Sequence, residues 1–225
     1  RDKSDSLLSK YNIDDLKNKI IIQNNKNLKY YVFDDKDEFK KFIYNLEDEE
    51  RVYNEIIFDN IQKFRIDLDY NRDEENNIDE LSYENINDFV EMIIKTFYKL
   101  LKTKKIIKNK ENNPKYYLFD SSTDNKYSYH IVFDFYLANS TQCKKLAYEL
   151  LDNLKTKVRK YKLPKILINT FDTSVYKTIQ SFRLPFNQKH GKNNIKKCVN
   201  EKDLSLFDAM INPINKKDLK VETII

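Results

Sequence analysis

Across 225 residues the chain carries one glycine, Gly191. That count constrains the architecture more than any other feature. A P-loop needs two glycines and a dinucleotide-binding fingerprint needs three, because only glycine lets the backbone turn tightly and approach a phosphate. Both are excluded by arithmetic. Any phosphorylated ligand of this chain must be met by side chains and metal ions instead.

The stretch KFRIDLDY, Lys63 to Tyr70, alternates strictly: Phe64, Ile66, Leu68 and Tyr70 are apolar, while Arg65, Asp67 and Asp69 are charged. Alternation with period two predicts a half-buried β-strand. Side chains at i and i+2 share a face about 6.5–7 Å apart. Asp67 and Asp69 are therefore expected side by side, and like charges that close repel. Either the face is open to water, a solvated strand surface with Arg65 nearby, or a cation sits between the carboxylates.

A chain of this length, with 40% apolar and 34% charged residues, can bury a sizeable core as one large domain or two small lobes. No apolar run reaches the length of a membrane span and no signal-peptide pattern opens the chain, so no membrane partner is expected. The sequence begins at Arg1 rather than Met, as a fragment of a longer protein does. Two cysteines, Cys143 and Cys198, and two histidines build neither a disulfide framework nor a four-ligand zinc site at these spacings. No zinc is expected in this chain, and a reducing, intracellular compartment is the default. The net charge of +5 permits nucleic-acid binding without arguing for it alone.

Along the chain, strands are expected at Leu28–Asp34, Tyr53–Asp59, the aspartate segment, Pro114–Asp120 and Tyr127–Phe133, with a turn-rich hairpin loop at SSTDNK. Residues 71–80 are polar and read as a loop. Ser82 to Lys102 keeps a helical stripe of Ile86, Phe89, Val90, Ile93, Ile94, Phe97 and Leu101. A shorter helix is expected over DEFKKFIYNL, and a second long one over NSTQCKKLAYELLDNLKTKV with Ser140 or Thr141 as its cap. PKILINTFD reads as leading into a strand ending at Asp172. SVYKTIQSFRLPF reads as strand or loop, and the chain after Lys192 as polar with a short apolar segment, LSLFDAMI. The fold class is α/β (α+β): a mainly antiparallel sheet with helices on one face.

Two further short patterns accompany Asp67-x-Asp69. Ser128 and His130, in SYH, sit at i and i+2 of an alternating strand and share a face, as an ordinary surface pair also does. FDTSVYKTIQSFRLPFNQKHGK places Asp172 after an apolar run and Arg183 eleven residues later; alone, Asp172 is an ordinary strand-end aspartate. Together they make a coherent chemistry. Carboxylates without Cys or His ligands suit a hard divalent cation, Mg²⁺ or Mn²⁺. Two such ions would bridge phosphate oxygens and activate a 3′-hydroxyl for in-line attack. Ser128 and His130 can hydrogen-bond a triphosphate, and Arg183 with Lys126, Lys189 and Lys192 can offset its charge.

The order hhDxD, SxH, then hD followed by VY and FRLP and a lysine resembles the archaeo-eukaryotic primase superfamily, in particular the PrimPol-like group and the primase modules of viral primase-helicases. The resemblance spans about residues 55–195. It implies a nucleotidyltransferase, a DNA primase or DNA-directed polymerase core acting in DNA replication. It implies that Asp67, Asp69 and Asp172 are the catalytic residues that bind two ions of Mg²⁺ or Mn²⁺. Lys126, Ser128, His130, Arg183, Lys189 and Lys192 would contact the incoming NTP or dNTP. Partners would be a single-stranded DNA template and primer, with a helicase domain or subunit. The place of action would be a site of replication: a nucleus, or a cytoplasmic factory if the source is viral. The Asn-, Ile-, Lys- and Tyr-rich composition suits an AT-rich genome.

The resemblance also implies two packed α/β units: an N-terminal one over about 1–55 and an RRM-like catalytic one over about 56–200, with the acidic strand at its centre and an extension over 201–225. The chain departs from the pattern in three places. The acidic pair ends in Asp69 where PrimPol has Glu. Gln180 stands three before Arg183, where a basic residue is frequent. The zinc-binding part used for initiation is not visible here. Two other classes stay open: another DxD metal enzyme, such as a nuclease or sugar-nucleotide transferase, and a non-catalytic single-strand-binding module using some of the 16 Tyr and 14 Phe for stacking. Neither metal-enzyme alternative explains Ser-x-His and the FR string together. A pure binder would not gain from carboxylates facing a polyanion.

Overall fold

The computed structural model describes residues 11–72, 81–108, 110–213 and 219–224. Among them the strands form two sheets, where the alternation pattern suggested one. The first sheet is built from β1 (Ile20–Asn24), β2 (Tyr30–Phe33), β3 (Tyr53–Phe58) and β7 (Ile179–Arg183), ordered β2-β1-β3-β7 and antiparallel throughout. Its last strand comes from far along the chain, so the first sheet is not made by N-terminal residues alone. The second sheet runs β4 (Gln62–Asn71), β6 (Lys126–Leu137), β5 (Tyr116–Asp120), β8 (Lys197–Cys198), and β9 (Val221–Glu222) lies parallel to the end of β6. The acidic strand β4 is thus at the end of that order, not its centre. Beyond it, among the described residues, lies the single bridge Leu68↔Phe171.

Helices form where the apolar stripe and the caps coincide. Short α1 (Ile13–Leu16) precedes β1, and α2 (Lys36–Tyr44) is capped by Asp35, which accepts from the N–H groups of Asp37 and Glu38. Phe39 and Ile43 of α2 pack on Ile20, Ile22, Phe33 and Tyr53 of the first sheet. The long α3 (Tyr83–Thr103) starts at a Ser82–Asn85 capping box. The long α4 (Ser140–Lys160) is capped by Asn139, one residue ahead of the expected Ser140 or Thr141. Ser140 is occupied otherwise: its N–H and hydroxyl both donate to Asp59 Oδ1, at 2.8 and 2.6 Å.

The stripe residues of α3, with Leu146, Leu150 and Leu154 of α4, pack in one cluster with Phe64, Ile66 and Leu68 of β4 and Ile131 and Phe133 of β6. Phe97 sits at its middle, 5.2 Å from Phe64 and 4.1 Å from Phe133 between ring centroids. Because Phe64, Ile66 and Leu68 turn to this core, Arg65, Asp67 and Asp69 are left on the other face of β4.

One expected strand is a helical turn. The run before Asp172 forms α5 (Ile166–Asn169), with Leu167 buried and the Leu167 N–H donating to the Pro164 carbonyl. A short β-branched apolar run cannot be told from a buried helix turn by periodicity. The expected polar loop at 71–80 begins one residue later, since β4 continues through Asn71; residues 73–80 lie outside the described residues. In the C-terminal stretch, α6 (Leu206–Ala209) and the residues after it are buried at Leu206, Ala209, Met210 and Ile211. Because glycine is so scarce, the left-handed positions after α3 and α4 fall on Lys105 and Lys162, at φ of 58° and 54°.

Two outcomes test this packing. Phe97→Ala should destabilise the fold by about 3–5 kcal/mol, read from urea unfolding. Cys143 is fully buried, and burial pushes its thiol up to about 12. At about pH 8 a thiol reagent should therefore modify Cys198 alone in the folded chain, and both cysteines after unfolding.

Candidate active site

Register brings the two strand motifs together. In the β4–β6 ladder Asp67 is opposite His130 and Asp69 is opposite Ser128. Residues directly opposite in an antiparallel pair share a face, with Cβ atoms about 4.5–5.5 Å apart. All four side chains therefore stand on the face of the second sheet turned from α3 and α4. The third motif arrives from the other edge of β4. The Asp172 N–H donates to the Asp67 carbonyl at 2.9 Å, and the Asp69 N–H to the Thr170 carbonyl at 2.8 Å. These two bonds flank the Leu68↔Phe171 bridge and set Asp172 opposite Asp67. Asp67, Asp69 and Asp172 thus share one face.

The repulsion between Asp67 and Asp69 is answered in part by Lys126, while His130 stands beside Asp67. Lys126 Nζ lies 2.7 Å from Asp69 Oδ2. His130 Nε2 is 3.3 Å from Asp67 Oδ1, off the line of a hydrogen bond. The face is only partly open to water: the Asp67 side chain is 13% exposed, that of Asp69 37%, and Arg65 is wholly buried. Arg65 donates to Gln62 Oε1 at 2.8 Å and to the Val175 carbonyl at 2.6 Å, with its guanidinium 5.4 Å from the Phe182 ring centroid.

Burial pulls His130 down to about 4, and the Lys196 charge adds to this against the opposing pull of Asp67. The imidazole is neutral at pH 7, a hydrogen-bonding group rather than a cation. Burial pushes the Asp67 carboxyl up, but His130, Lys196 and Lys126 together bring it below the usual carboxylate range. Burial, then the nearby Lys126 and Arg183, draws Lys189 below the usual ammonium range.

These groups line a cleft of about 480 Å³ between the two sheets. Its acidic wall carries Asp67, Asp69, Ser128, His130 and Asp172; the facing wall carries Arg183, Ser181, Gln180 and Asn54, with Lys189 and His190 at the rim. Of the residues singled out in the sequence, Asp67, Asp69, Asp172, Ser128, His130, Arg183 and Lys189 line this cleft. Lys126 reaches the group through its ion pair with Asp69. Lys192 is not brought in: it is exposed in the turn after Lys189, with its N–H on the Lys189 carbonyl at 3.0 Å.

Several groups escaped the sequence reading. Ser181 had a signal, since it sits at i−2 from Arg183 and shares its strand face. Asn25 and Asn54 had none. They form a hydrogen-bonded row with Ser181, from the turn after β1 across β3 to β7: Asn25 Nδ2 to Asn54 Oδ1 at 3.0 Å, and Asn54 Nδ2 to Ser181 Oγ at 2.8 Å. Buried Lys196 and Glu55 also gave no local sign.

Asp67 Oδ1 and Asp69 Oδ1 are buried without a hydrogen-bond partner. Such oxygens are costly unless a cation meets them. Oxygen donors alone, with no thiolate, fit Mg²⁺ or Mn²⁺. As the side chains stand, no group of three His, Cys, Asp or Glu among the described residues forms a ligand set. Asp172 is turned into its own chain, accepting from the Ser174 N–H at 2.7 Å and hydroxyl at 3.0 Å. The donor chemistry of Asp67 and Asp69 fits a divalent ion, and Asp172 lines the same cleft.

No protein-family model matches the chain. It is 25% identical over 233 aligned residues to a protein of African swine fever virus (isolate Pig/Kenya/KEN-50/1950) named "Putative helicase/primase complex protein". The alignment covers 95% of this chain and 20% of that protein, so the chain spans about a fifth of its relative's length.

Proposed function

We propose that this chain is the nucleotidyltransferase core of a replicative primase-polymerase. The observation that carries the reading is the register: a ladder of Asp67↔His130, Asp69↔Ser128 and Asp172 beside Asp67 gathers three distant motifs on one face of one cleft. The likeness to a protein named for a helicase/primase complex supports a role in replication.

In this reading Asp67, Asp69 and Asp172 would hold divalent ions, which would supply positive charge for phosphoryl transfer to a 3′-hydroxyl. Ser128 and neutral His130 donate hydrogen bonds to the triphosphate of an incoming NTP or dNTP. Arg183, Lys189 and Lys126 offset its charge. The sheet-to-sheet cleft excludes water from one side and orients the nucleotide for in-line attack, which is mainly positioning and charge stabilisation. Single-stranded DNA template and primer are the macromolecular partners. A helicase, as another domain or a subunit, is the further partner. No helix of the described residues is long and apolar enough to cross a membrane, and action at a replication site, in a nucleus or a viral factory, suits the reading.

Millimolar Mn²⁺ should raise the melting temperature of the wild-type chain and leave that of Asp67→Ala unmoved, because ligand binding to the folded state alone stabilises it. Labelled nucleotide should be incorporated on a primed single-stranded template with Mg²⁺ or Mn²⁺. Asp67→Ala and Asp172→Ala should lower that by more than about 100-fold with the fold intact. Normal incorporation by both variants removes the assignment; sugar transfer or strand cleavage instead points to the other DxD chemistries. Single-strand binding with no incorporation points to a binding module.

A further inference from the structure

Lys196 is 1% exposed and does not line the cleft. Its ammonium donates to the Arg183 carbonyl at 2.8 Å. It stands 4.4 Å from the centroid of Phe182 and 4.9 Å from that of Phe119. Phe182 in turn packs on His130, 4.6 Å between centroids. A lysine buried this completely is costly unless its charge is engaged. Burial and then Arg183 draw its ammonium well below the ordinary range, while Asp67 and Glu55 act the other way.

The same residue closes a loop. The Phe186 N–H donates to the Lys196 carbonyl and the Lys196 N–H to the Asn187 carbonyl, both at 2.9 Å. Arg183 reaches the same loop from β7: its Nη1 donates to the Asn194 carbonyl at 2.9 Å. Inside the loop, the Lys189 N–H donates to Asn194 Oδ1 at 3.1 Å and the Lys192 N–H to the Lys189 carbonyl at 3.0 Å. Gly191, at φ +73° with nothing around a would-be Cβ, makes the tight turn at the tip. Arg183 therefore holds the loop through its side chain, and Lys196 holds Arg183 through its carbonyl. The result is a reciprocal clamp at the base of a segment that puts Lys189 and His190 on the cleft rim.

We propose that Lys196 is a positioning residue: it pins the end of β7 and the base of the 187–196 loop, so that Arg183 and Lys189 face the cleft together and grip the phosphates of a nucleoside triphosphate. The loop-pinning part stands on the hydrogen bonds alone; the phosphate part rests on the function proposed above. The charge of Lys196 never touches the ligand. Its effect passes through the backbone of Arg183 and the packing of Phe182.

Lys196→Met keeps the stem and its contacts with the rings but removes the donor. Lys196→Gln keeps a donor and gives up the charge. Without nucleotide, hydrogen exchange at the 187–196 amides should quicken about tenfold in Lys196→Met, with α3 and α4 unchanged, and recover at least in part in Lys196→Gln. Titration of a fluorescent ATP analogue with Mn²⁺ should show Lys196→Met binding about tenfold more weakly, in the same direction as Arg183→Ala. In primer extension the loss should fall on KM rather than kcat. Unchanged loop exchange in Lys196→Met overturns the proposal. So does unchanged nucleotide affinity in Lys196→Met where Arg183→Ala has lost it. Quickened exchange with unchanged affinity in both variants supports the pinning and instead overturns the nucleotide reading of the cleft. If Lys196→Met does not melt cooperatively, Lys196→Gln carries the comparison: wild-type affinity with a loosened loop overturns the proposal.

Discussion

Two backbone hydrogen bonds, Asp172 N–H to Asp67 carbonyl and Asp69 N–H to Thr170 carbonyl, decide what this molecule can do. Without them Asp172 belongs to a short connection with no fixed relation to β4. With them, the third carboxylate lies opposite the first. The other edge of the same strand is bonded to β6, which sets Ser128 and His130 in matching register. A slip of one residue in either ladder would turn these side chains into the hydrophobic core, because strand side chains alternate with period two. The packing of Phe64, Ile66 and Leu68 against α3 and α4 guards against that slip.

The second constraint is electrostatic. The space between the sheets holds Glu55, Arg65, Arg183 and Lys196, each 8% exposed or less, beside the ionised Asp67. Each has a specific partner. Glu55 accepts the N–H groups of Ile211 and Asn212 at 2.9 and 2.7 Å, drawing the C-terminal segment over the first sheet. Arg65 is taken by Gln62 and Val175, and Lys196 by the Arg183 carbonyl. Removing one member would leave its partner buried and unsatisfied, a larger cost than the net gain of a typical hydrogen bond. The cleft is therefore a polar seam in which Arg183 lines the wall, while Glu55, Arg65 and Lys196 maintain its shape from behind.

The scarcity of glycine shapes this seam too. With a single glycine in the chain, no backbone loop can wrap a phosphate closely. In the proposed reading an anion is met by Lys126, Arg183 and Lys189, whose long side chains need fixed bases. The lone Gly191 is placed where such a base requires a tight turn, at the tip of the loop that Arg183 and Lys196 clamp.

Much of this was legible in the residues themselves. Alternation marks β4 and β6, and the helical stripes mark α3 and α4, because both periods are local consequences of backbone geometry. The pairs Asp67/Asp69 and Ser128/His130 could be put on common faces by the same rule, and Arg183 could be placed with Ser181. The division into two sheets, the helical turn before Asp172, the cap at Asn139 and the burial of Arg65 could not. Each depends on which distant segment lies alongside, and residues such as Asn25, Glu55 and Lys196 carry no local mark of the partner they will meet. The sequence by itself determined which side chains share a strand face, because that follows from the pleat of one chain segment. Tertiary structure alone decided which faces meet and which charges are buried, because cross-strand register and sheet-to-sheet packing are set by contacts between residues far apart in the chain, such as Asp67 with His130 and with Asp172.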